Sequence, residues 1–83
     1  MSGYVILVLM AFFTPQGQVV PNAMQITHSN GTPLIFEKVV DCYQHVMDNH
    51  KLLEGFAIRN AKAPVGWIPV VAKITCTKEG SSA

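Results

Sequence analysis

The chain reads as one small α+β domain of β-β-α-β order: a mainly antiparallel three-stranded sheet in the order 2-1-3, with one helix packed on one face. Three features lead there: an unbroken apolar run, Tyr4–Phe13, an amphipathic stretch over residues 36–53, and an alternating stretch over residues 67–77. The domain is expected to span residues 1–78. Residues 79–83 are small or polar and are expected to form a flexible tail.

The run Tyr4–Phe13 is apolar at all ten positions, so periodicity cannot separate strand from helix. Its length, β-branching and aromatic content favour a strand, and two dry faces suit the middle of a sheet. The run has half the length of a membrane-crossing helix, about 20 residues. No Lys or Arg precedes it and residues 14–18 offer no small-x-small cleavage pattern, so a signal peptide is not expected.

Residues 14–21 hold two prolines and a glycine and are expected to reverse the chain. Residues 23–29 alternate, with Met24, Ile26 and His28 on one side, as in a half-buried antiparallel strand. Asn30-Gly31 marks a tight turn; with Thr32 it also matches a glycosylation sequon, but Pro33 follows and the turn is the preferred reading.

Over residues 36–53, Phe36, Val39, Val40, Tyr43, Val46, Met47, His50 and Leu53 recur at helical steps, with Gly55 placed to cap the C-terminus. Residues 56–60 are open between strand and loop, and residues 61–66 are turn-like. In residues 67–77, Ile68, Val70, Ala72, Ile74 and Cys76 share the helix-facing side, while Trp67, Pro69, Val71, Lys73, Thr75 and Thr77 share the other. Pro69 places this strand at an edge. A helical crossover then sets the third strand beside the first, which occupies the centre.

Composition limits the functions available. The formal net charge is +1, and the six Lys and Arg are scattered without a run that could track a phosphate backbone, so no nucleic-acid partner is expected. Only 13% of residues are charged, which leaves apolar surface for a protein partner or for self-association; membrane contact is not the expected mode. Val5, Leu7 and Leu9 from the first strand, with Trp67 and Val71 from the last, are the candidate interaction face.

Cys42 on the helix and Cys76 on the helix-facing side of the last strand can point toward each other. The alternatives are a disulfide, worth on the order of 3–4 kcal/mol for such a loop, or two buried free thiols. A disulfide would imply an oxidising compartment. Cys42 and His45 have a helical spacing that a zinc ion accepts, but His45 lies on the polar side and no second cysteine pair accompanies them. No metal or cofactor is therefore expected. His28, His45 and His50 read as a sheet-margin residue, a solvated residue and a helix-end residue; no catalytic residue is assigned, and no nucleotide-binding or hydrolase motif is present.

The N-terminal apolar strand, the stretch Phe36-Glu37-Lys38-Val39-Val40-Asp41-Cys42 and the ending Ile74-Thr75-Cys76-Thr77-Lys78 resemble short uncharacterised proteins of proteobacteria and tailed phages. Those proteins look like β-β-α-β miniatures with one helix cysteine and one C-terminal strand cysteine. This chain departs from them in a longer stretch over residues 55–66 and in its polar tail. The resemblance implies the fold and a Cys42–Cys76 bond, and no activity. The expected function is thus a non-enzymatic interaction or assembly protein, such as a phage accessory or structural component. The alternatives are a disulfide-stabilised exported or envelope-associated protein and, less favoured, a thiol- or zinc-dependent enzyme.

Overall fold

The computed structural model describes residues 3–29 and 31–79. Strand β1 (Tyr4–Phe13) lies between β2 (Val19–Ile26) and the C-terminal strand, both antiparallel to it. A two-residue hairpin, β3 (His28–Ser29) with β4 (Thr32–Pro33), follows β2. Helices α1 (Val39–Asp48) and α2 (His50–Asn60) precede the last strand, β5 (Ile68–Lys78). The three-stranded antiparallel sheet and its order agree with the sequence reading. The helix layer, the second strand and the phase of the last strand do not, and each difference has a local cause.

The β1–β2 connection is shorter than expected. Gly17 N donates to Thr14 O at 2.9 Å, and Gln18 N donates to Thr14 Oγ1 at 3.0 Å. Pro15 takes the second position of this turn, and Gly17, at φ 84°, supplies the left-handed residue that a three-residue hairpin loop needs. Strand β2 thus starts at Val19 and runs through Pro21. A strand with a neighbour on one side only can host a proline. It ends at Ile26, two residues before His28, which enters the small hairpin instead.

Phe36 is not helical. Tyr4 N donates to Phe36 O at 2.6 Å and Phe36 N to Tyr4 O at 2.9 Å, extending the sheet beside β1 beyond the end of β2. Helix α1 begins only at Val39. One helix was expected and two form, because Asn49 interrupts the run. Its backbone N and its side-chain Nδ2 both donate to His45 O at 3.0 Å, and its own carbonyl accepts from Leu53 N at 2.9 Å. A short amide side chain that competes for backbone partners in this way ends one helix and starts the next. Gly55, expected as the cap, lies inside α2, which continues to Asn60; Asn60 Nδ2 donates to Phe56 O at 2.8 Å. The open segment at residues 56–60 is therefore helix.

The core lies between one sheet face and the two helices. Ile6, Val8 and Met10 of β1, Ile26 of β2 and Ile74 of β5 pack with Cys42, Val46, Leu53 and Ala57. The buried stripe of α1 centres on Cys42 and Val46, so Val40 and Met47, both expected to face inward, point to solvent. Cys42 and Cys76 form a disulfide with Cα atoms 6.3 Å apart, which fixes the rotation of α1 over β5. At the end of β5, Glu79 N donates to Gly3 O at 2.7 Å. The rest of the expected tail, residues 80–83, lies outside the described residues.

Candidate functional site

The helix-facing side of the sheet is filled, and the opposite side carries an apolar patch; further apolar side chains, Val40, Met47 and Leu52 among them, are exposed on the outer surface of the helices. On β1 that side carries Val5, Leu7, Leu9, Ala11 and Phe13, because alternate residues of a strand point to opposite faces. Val5 is fully buried and Leu7 half-buried, so the exposed part starts at Leu9, 36% exposed, and widens to Phe13, 41% exposed.

Neighbouring strands extend the patch. In β2, Val19 stands opposite Phe13, Pro21 opposite Ala11 and Ala23 opposite Leu9. In β5, Ile68 stands opposite Phe13 and Val70 opposite Ala11. Val19 is 57% exposed and Ile68 61%, so the Phe13 end forms an apolar row three strands wide. Lys73 opposite Leu9 supplies the one charge on this stretch of the face, with Thr75 and Gln25 beyond it.

Two expected members of the face lie elsewhere. The register of β5 shifts between Leu9 and Met10: Lys73 pairs with Leu9 but Val71 pairs with Met10, so Ala72 has no opposite number. One extra residue turns every earlier side chain of the strand to the other face. Val71 therefore packs on the helix-side core, and Ile68 and Val70, expected to face the helices, emerge on the open side. Trp67 precedes the strand and packs its ring against Phe12, with centroids 6.3 Å apart and planes inclined by 57°. Of the candidate residues, Leu7 and Leu9 share the open face, Val5 lies beneath its margin, and Trp67 and Val71 belong to the opposite side. Phe13 was reachable from the alternation of β1; Val19 was hidden because residues 14–21 read as a turn, and Ile68 and Val70 were hidden by the bulge.

The sheet edges are less available than the face. Thr14 N donates to Gln18 O at 3.0 Å, and ladder pairs alternate from that bond onward. Phe12 and Val20 thus exchange backbone hydrogen bonds, while Pro21, and Pro69 opposite Phe12, turn their ring nitrogens to the two outer edges. Neither position can donate to an added strand. Further along β5, Tyr43 reaches from α1 around the edge to Thr75, with Oη and Oγ1 2.6 Å apart. The Thr75 hydroxyl, and behind it the Cys76 backbone, stabilise the phenolate and lower the Tyr43 pKa from its ordinary 10.0.

Of the titratable and sulfur groups considered for chemistry, His28 and His45 line one groove, and His50 and the two cysteines do not line it. The Cys42 sulfur is bonded to Cys76 and carries no thiolate. His45 packs against Phe36 with ring centroids 5.3 Å apart and planes inclined by 48°. His28 Nδ1 lies 3.0 Å from Thr27 Oγ1, and His50 Nδ1 lies 3.9 Å from Glu54 Oε2 on the surface of α2. Among the described residues, no three His, Cys, Asp or Glu side chains converge as metal ligands, and no helix is long and apolar enough to cross a membrane. Compared with protein-family models, curated proteins and solved structures, the chain matches none of them.

Proposed function

We propose that this chain is a non-enzymatic interaction protein that works by association through the open face of its sheet, in the first instance with a second copy of itself. The observation that carries this reading is the apolar row formed by Phe13, Val19 and Ile68, continuous with Leu9 and Ala11 and crossed by a single charge, Lys73. Such a continuous patch has a burial free energy of about 25 cal/mol for each Å² covered, and contact with another apolar surface releases it. The outward-turned prolines favour the face over the edges as the route of contact.

Light scattering coupled to size-exclusion chromatography tests the proposal. The native chain is expected to show a concentration-dependent rise in mass above 9.1 kDa, and the double variant Leu9→Ser, Phe13→Ser is expected to elute as a folded monomer. A native chain that remains monomeric to millimolar concentration would exclude self-association. A distinct protein captured by the native chain and released by the same double variant would assign the face to that partner instead.

The Cys42–Cys76 bond favours a second reading that is compatible with the first: an exported or envelope-associated protein, since such bonds persist in oxidising surroundings. Intact mass of protein taken from its native cells under alkylating conditions checks this. Two alkylated thiols would remove the reading.

A further inference from the structure

An apolar groove lies away from the sheet's open face. It is a groove of about 300 Å³ between the end of β2 with its following hairpin and the junction of the two helices. Leu34, Leu53 and Phe56 are among the apolar side chains that line it. Its polar lining is His28, His45, Asn49 and Arg59, and no carboxylate lines it. Arg59 is charged at all working pH values, and the one histidine–carboxylate contact among the described residues, His50 with Glu54, does not involve it. His28 is engaged through Nδ1 with Thr27, which leaves Nε2 as its remaining polar atom.

We infer that this groove binds a small organic monocarboxylate with a hydrocarbon body, its carboxylate on Arg59 and its chain on Leu34, Leu53 and Phe56. The volume is at the small end of the range for ligand sites, which suits a short acid. One permanent cation above an apolar floor matches a single negative charge. A phosphate would bring up to two charges against the same floor and leave part of its charge desolvated and unpaired. The planar guanidinium can meet both carboxylate oxygens at once. The site shares no residue with the Leu9–Phe13 face, so its fate in an experiment is separable from that of the proposed association.

Titration of the native chain with octanoate, followed by amide chemical shifts and calorimetry, tests the inference. Saturable shifts are expected at Asn49, Leu53 and Phe56, with octanoate binding about tenfold more tightly than octan-1-ol, the neutral compound of equal chain length. Arg59→Gln, at an exposed position, is expected to melt as the native chain does and to erase that tenfold preference. Equal affinity for acid and alcohol, a preference unchanged in Arg59→Gln, or shifts confined to Leu9 and Phe13 would each overturn the site. An acetylated peptide ending in leucine that binds more tightly than octanoate would overturn the small-acid assignment and make the groove a receptor for a peptide C-terminus.

Discussion

On β1, Ile6, Val8 and Met10 differ little in chemistry from Leu7, Leu9 and Phe13, yet the first three are buried and the last two of the second set are more than a third exposed. The same strand thus presents one apolar face to a helix layer and another to solvent. Burial is decided by what the rest of the chain can bring over each face. Helices α1 and α2 account for a single side, and the second side retains surface whose free energy can be released only by another molecule.

The contrast can be broken from its stable side first. Ile6→Ala is expected to destabilise the fold by about 4 kcal/mol, read from urea unfolding, since it empties space beneath the helices that the disulfide-anchored layer cannot collapse to fill. Replacing Cys42 and Cys76 with alanine together is expected to cost about 3–4 kcal/mol, because the bond closes a segment with a sequence separation of 34. On the open side, Leu9→Ser should change the unfolding free energy measured at micromolar concentration by less than about 1 kcal/mol. A larger loss there would mean that Leu9 is covered in solution.

The smallest effect concerns the edge where the two sides meet. Hydrogen bonds from Thr75 and Cys76 favour the Tyr43 phenolate, so the folded pKa lies below the unfolded value of 10.0. Between those two values the unfolded chain binds more protons, and stability rises with pH; below the folded pKa the contribution is absent. Ultraviolet titration should show one of the two tyrosines ionising early, and Thr75→Val should return it toward 10.0.

Much of the fold was legible because its cues are local. An unbroken apolar strand, an amphipathic segment and an alternating strand determine a three-stranded sheet with one covered face, and the two cysteines fell on facing elements. The features that were missed depend on competition between partners. Asn49 ends a helix through a side-chain bond to a carbonyl that helical periodicity does not register. Phe36 satisfies every helical spacing, but its backbone groups complete the sheet beside Tyr4. Gly55 has the residue type of a helix cap, but the glycines with positive φ are Gly17, Gly31 and Gly66. The bulge at Ala72 left half of β5 in its expected phase and inverted the other half. That inversion alone moved Val71 out of the candidate face and brought Ile68 and Val70 into it.

Pro21 and Pro69 have a consequence for stoichiometry. Adding a strand to an edge creates a new edge, so growth of that kind has no natural stopping point and leads to fibres. Two identical faces related by a two-fold axis consume each other when they meet, and the assembly closes at a pair. By placing a residue without an amide hydrogen at each outer margin, at the end of the sheet where Phe13, Val19 and Ile68 are exposed, the chain opposes the open-ended mode beside its apolar row. A concentrated solution should therefore accumulate discrete pairs that dissociate on dilution.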